Sequence, residues 1–144
     1  MNQLYLVAET AGTCFAIPAD AVQSVVTASD IIPAPGAAPT VAGIAALRSK
    51  VITVIDTRAA IEGGAARVAD GQSLIVAGVD DFLYGLAVDD IHDVRDHDGA
   101  PRKLGAAFAA GWRRVSTGII ELDGSAIVVV DPAVLVASQD SVAA

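Results

Sequence analysis

The densest set of reactive side chains is the run DDIHDVRDHD from Asp89 to Asp98, with two histidines and five aspartates. Such a set offers nitrogen and oxygen ligands for a divalent metal and, with it, hydrolytic chemistry. A metal centre needs its ligands to converge on one point, each held by further hydrogen bonds. An extended chain instead alternates its side chains, putting Asp90, His92 and Asp96 on one face and Asp89, Asp93 and His97 on the other. The run therefore reads as a solvated strand and loop, and a metal-assisted enzyme built on it is the rival reading from another class.

Other catalytic signatures are missing from the sequence. It holds no phosphate-binding Gly-Lys loop, nucleophile elbow, paired-histidine zinc motif or dinucleotide fingerprint. The single cysteine, Cys14, excludes an internal disulfide and a Cys-rich metal site, and reads as a small core hydrophobe. Trp112, beside Arg113 and Arg114, reads either as an interface anchor or as a ring packed over a sheet edge. Arg48 is different in kind: it sits in a Ser-Lys turn at the tip of an expected hairpin, where a rigid sheet presents it for a directional, charge-assisted contact.

The elements that must hold these residues are set by composition and repetition. The 144 residues are 53% hydrophobic but only 4% aromatic, so one domain with a Val, Ile, Leu and Ala core is expected. A net charge of -8 with scattered basic residues argues against nucleic acid as a partner. No apolar run is long enough to span a bilayer and the first residues do not resemble a signal peptide, so a cytoplasmic protein without direct membrane insertion is expected.

The chain also repeats. LVAETAGTCFAIPADAVQSVV from Leu6 aligns with IVAGVDDFLYGLAVDDIHDVR from Ile75, a displacement of 69 residues, pairing Phe15 with Tyr84, Asp20 with Asp89 and Val25 with Val94. GIAALRSKVITVIDTRA from Gly43 aligns with GIIELDGSAIVVVDPAV from Gly118, a displacement of 75, pairing Arg48 with Asp123 and Asp56 with Asp131. Since its partner is Asp123, the duplicated fold does not itself require an arginine at 48.

Each copy reads as strand, turn, strand, Asp-containing bend and further strands. In AVQSVV and DIHDVR the apolar residues recur every third position, which predicts a short helical turn in the bend. Asp20 and Asp89 are expected to accept backbone N–H groups there, and Asp56 and Asp131 to cap the segments after them. Asp131-Pro132 predicts a short C-terminal helix. The fold class is thus mainly all-β, with two small barrels side by side; the repeats span about 4–59 and 73–134 within one domain of 1–144, and strands can cross between them.

FAIPADAVQSVV, GIAALRSKVITVIDTR, YGLAVDDIHDV and TGIIELDGSAIVVVD together resemble the CheW family of coupling proteins in bacterial chemosensory arrays, over nearly the whole chain. The resemblance implies two five-stranded SH3-like barrels about a pseudo-twofold axis. It also implies a non-catalytic, cofactor-free adaptor between the regulatory domain of a CheA-type histidine kinase and the cytoplasmic tips of methyl-accepting chemoreceptors. Arg48 takes the place of the family's receptor-coupling arginine, Gly43 of its motif glycine, Val22 of a groove valine and Val94 of a second coupling valine. Ala46 replaces the usual asparagine, Ser49 a glycine, and Ser24 a groove glutamate. The change at 49 bears on the turn that aims Arg48, because serine tolerates positive φ much less well than glycine. A divergent scaffold for another output and a barrel holding a small apolar ligand are the remaining alternatives.

Overall fold

Runs such as SLIVAGV and AIVVV are apolar at successive positions, which suits strands covered on both faces. The computed structural model describes residues 2–105 and 108–143, and these runs lie inside two five-stranded sheets. The elements are β1 (Asn2–Thr10), β2 (Thr13–Pro18), β3 (Ser24–Thr27), β4 (Val41–Leu47), β5 (Lys50–Asp56), α1 (Thr57–Glu62), β6 (Ser73–Val79), β7 (Phe82–Val88), β8 (Asp90–Asp98), α2 (Ala110–Val115), β9 (Ser116–Leu122), β10 (Ser125–Val130) and α3 (Pro132–Ala143). The mainly-β class and the C-terminal helix are as expected.

The sheets run β8-β1-β2-β10-β9 and β3-β6-β7-β5-β4. Exchanging β1–β5 for β6–β10 converts one order into the other, so the sequence repeat is also a repeat of topology. Each sheet nevertheless mixes the two halves: β1 and β2 pair with β8 and β10, while β3 and β5 pair with β6 and β7.

This exchange explains the cores. One cluster, including Ile52, Val54, Leu74 and Val76, lies on the inner face of the β3–β7 sheet, and a smaller one around Tyr5, Ala16, Ile120 and Val129 lies on that of the other sheet. The largest cluster lies between the sheets, where Leu6, Phe15, Ile17, Ile75 and Leu86 meet α2 and α3. Trp112 belongs to it, 7% exposed and with its ring centroid 5.6 Å from that of Phe15. It is a packing residue. Gly111 beside it allows α2 onto α1, since a Cβ there would stand 1.9 Å from the Ile61 carbonyl oxygen. Arg114 Nη2 donates to the Ala60 carbonyl at 2.9 Å across the same contact.

The helical turn expected in each bend forms in only one of them. In the first copy a 3-10 turn, Ala19–Ala21, precedes β3, as predicted. In the second copy there is no helical turn: β8 starts at Asp90 and carries an irregularity opposite Val7. The extra residue of a bulge resets the alternation, so Ile91 and Val94 align with Ala8 and Leu6, two residues of the inter-sheet core.

Candidate functional site

Four tight hairpins show how the sequence aims Arg48. At Ala11-Gly12, Asp80-Asp81 and Asp123-Gly124 both central residues have positive φ, the type I′ signature that matches strand twist. At Arg48-Ser49 only Arg48 does, with φ 57°, while Ser49 stays out of the left-handed region. Ala11, Asp80 and Asp123 hold a similar φ at the equivalent place, so Arg48 keeps the backbone conformation of the other hairpins at the first turn position. Leu47 still pairs with Lys50, so the loop keeps two residues and the tip keeps its position.

Arg48 stands at the rim of a cleft of about 370 Å³ between the two outer strands of its sheet. Ser24, Val25 and Val26 come from β3, Leu47 and Arg48 from the β4–β5 hairpin, and Leu83 also lines it. Arg48 is exposed and, among the described residues, makes no ion pair or hydrogen bond. The other sheet treats the equivalent place differently: Arg95 Nη2 of β8 lies 2.9 Å from the Asp123 carboxylate in the β9–β10 turn, tying its outer strands together. That carboxylate also raises the Arg95 pKa through its hydrogen bond and charge. Val26 and Arg48 are the repeat counterparts of Arg95 and Asp123, so the pair that closes one sheet is replaced by an open cleft in the other.

A second cleft of about 590 Å³ adjoins the first, sharing Gln23, Lys50 and Leu83. It adds Phe82 and Val51, which are 67% and 62% exposed, and Val25 in the first cleft is 44% exposed. The two clefts thus combine exposed apolar side chains with charged ones, among them Lys50, Asp80 and Asp81. Sequence reasoning singled out Ser24 and Arg48 but missed Val25, Val51 and Phe82. Phe82 comes directly after the Asp80-Asp81 turn inside an apolar strand, and nothing in its spacing shows that the hairpin end projects from the sheet.

The other expected residues lie elsewhere. Gly43 is buried at an irregularity of β4 with φ 150°, and a Cβ there would stand 2.1 Å from the Ile32 carbonyl oxygen. Ile32 and Ile44 exchange two backbone hydrogen bonds of 2.8 Å at this point. Gly118 repeats the arrangement with Arg102. Gly43 therefore shapes β4 from beneath. Val22 packs against the inter-sheet core, and Val94 lies on outer strand β8 of the other sheet, 55% exposed and outside the cleft.

The aspartate run disperses. Asp89 Oδ2 accepts from Ala11 N at 2.9 Å, the backbone role expected of it, and Asp96 accepts from Asn2 at 3.1 Å. Asp56 and Asp131 accept from Arg58 N and Ala133 N and cap α1 and α3. His92 instead turns to residues outside the run, Glu9 and Cys14. Cys14 is half-buried beside them rather than in the core.

A model of the CheW-like domain family matches residues 4–140 of the chain. Among solved structures the fold is similar to that of the scaffolding protein TtCheW from Thermoanaerobacter tengcongensis, with 23% identity, a TM-score of 0.80 and coverage of 94% of this chain and 88% of that one. No curated protein matches the chain.

Proposed function

Because the chain belongs to the CheW-like domain family, we propose that it is a non-catalytic adaptor of chemosensory signalling, coupling a CheA-type kinase regulatory domain to chemoreceptor tips. The observation that carries this reading is the exposed Arg48 at the rim of an open cleft whose counterpart is closed by Arg95 and Asp123. An exposed guanidinium on a rigid hairpin beside Val25, Val51 and Phe82 suits a helical partner that offers apolar side chains and a carboxylate or carbonyl.

In this reading the cleft with Arg48 and Ser24 faces the receptor, Gly43 holds β4 in place for it, and Val22 supports β3 from the core. Val94, on the outer strand of the other sheet, belongs to a second coupling surface. Binding at one surface biases the other where both select the same conformation of the domain, through a coupling of about 1–3 kcal/mol. No described helix is long and apolar enough to cross a membrane, which fits a cytoplasmic adaptor recruited to receptor arrays by its partners.

Calorimetric titration against the kinase regulatory domain and, separately, a receptor-tip fragment from the same genome tests the proposal. Saturable binding of both, with Arg48→Ala weakening only the receptor, is the expected result. Binding of neither by the folded protein would overturn the adaptor reading. Receptor affinity unchanged in Arg48→Ala would remove the arginine from the interface.

A further inference from the structure

Glu9 and Cys14 face each other across the β1–β2 hairpin, and His92 sits in the adjoining irregularity of β8. His92 Nε2 lies 3.2 Å from Glu9 Oε1 and 3.8 Å from Cys14 Sγ, and the three donor atoms all fall within 4.8 Å of one another. We propose that Glu9, Cys14 and His92 form a binding site for a zinc-class divalent cation.

The geometry is the first argument. With metal bonds of about 2.0–2.1 Å to oxygen and nitrogen and about 2.3 Å to sulfur, a tetrahedron has N–O and N–S edges of about 3.3 and 3.6 Å. The observed 3.2 and 3.8 Å lie close to these, and the remaining Glu9–Cys14 edge lies within 4.8 Å. The donors also come from three neighbouring strands, so the β8-β1-β2 pairing holds the site in advance.

Donor chemistry is the second argument. A simple surface ion pair needs only Glu9 and His92. A thiol added to imidazole and carboxylate selects a borderline-soft ion such as Zn²⁺ over Mg²⁺ or Ca²⁺, with a fourth position left to water.

The repeat supplies an internal control. The counterparts of Glu9, Cys14 and His92 in the other sheet are Gly78, Leu83 and Gln23. There Gln23 folds over Gly78, its Nε2 standing 2.8 Å from where a glycine Cβ would be. The fold thus accepts non-ligating residues at all three positions, and the ligand set belongs to one sheet alone. A bound ion would tie outer strand β8, which carries Val94, to β1 and β2.

The test uses untagged, reduced, chelator-treated full-length protein titrated with Zn²⁺ in a calorimeter and with Co²⁺ in a spectrophotometer. The expected result is one saturable ion per chain, a sulfur-to-cobalt charge-transfer band, and the intense visible absorption of tetrahedral Co²⁺. Cys14→Ser should abolish the charge-transfer band, and His92→Ala should weaken Zn²⁺ by at least about 100-fold, each in protein whose Trp112 fluorescence shows the native fold. Absence of saturable binding, or binding unaltered in both variants, would overturn the proposal.

Discussion

Arg95 of β8 and Asp123 of the β9–β10 turn meet at 2.9 Å and join the outer strands of one sheet, while their counterparts Val26 and Arg48 leave the other sheet open. A duplicated fold has thus been differentiated by charge at two positions. With no aspartate at one turn and no arginine on the facing strand, the closed edge becomes a cleft with an exposed cation at its rim.

Arg48 therefore combines exposure with backbone strain, and two substitutions separate these properties. Arg48→Ala keeps the left-handed φ on a residue with a Cβ, whereas Arg48→Gly relieves it. Both are expected to weaken receptor-tip binding by at least tenfold in calorimetry. Chemical denaturation should show the Gly variant more stable than the Ala variant by about 1 kcal/mol. Equal stabilities would mean that the turn relaxes without glycine.

Gly43 is predicted to act through the fold. Gly43→Ala places a methyl group 2.1 Å from the Ile32 carbonyl oxygen at a φ of 150°, and should cost about 2–4 kcal/mol in urea denaturation. Gly12→Ala, at φ 77° with open space around it, should cost only about 1 kcal/mol. A small effect at Gly43 would show that the segment around Ile32 moves aside freely.

Asp56 is buried, yet its carboxylate accepts from Arg58 N at 3.1 Å, Arg67 N at 2.9 Å and Arg58 Nη2 at 3.2 Å. It joins the end of β5 and the start of α1 to the segment that links the two copies. Asp56→Ala leaves these donors without their acceptor and should destabilise the protein by about 2–4 kcal/mol. Amide exchange at Arg67 should accelerate with it, and an unchanged rate there would show that the connection is held by other contacts.

Tyr5 supplies a pH dependence. Burial, and next the Asp20 carboxylate, raise its phenol above the usual value of 10.0. The folded state thus favours the neutral form, and its contribution is complete below pH 10 and is lost as pH rises from there through the folded pKa. Denaturation midpoints measured across that alkaline range should fall less steeply for Tyr5→Phe than for the parent. Parallel curves would show that the phenol ionises equally in folded and unfolded chains.

What was legible in the sequence was local or periodic. The repeat exposed the equivalence of Asp56 with Asp131, the apolar runs marked strands, and the Asp-Pro pair marked α3, because caps and strand patterns depend on neighbours a few residues away. Arg48 stood out because its repeat partner was an aspartate. The helical turn expected in the second bend failed because a bulge in β8 yields the same spacing by threes as a turn of helix. Which strands share a sheet was decided only in tertiary structure: β1 pairs as readily with β8 as a strand of its own half would, since strand pairing is selected by the burial of faces that the period-two pattern leaves alike. That exchange places His92 beside Glu9 and Cys14, more than seventy residues away in the chain, whereas the cleft beside Arg48 follows from Val26 and Arg48 standing where the other sheet has Arg95 and Asp123. Neither site has a local signature, because each is made by packing segments whose separation in sequence says nothing of their distance in space.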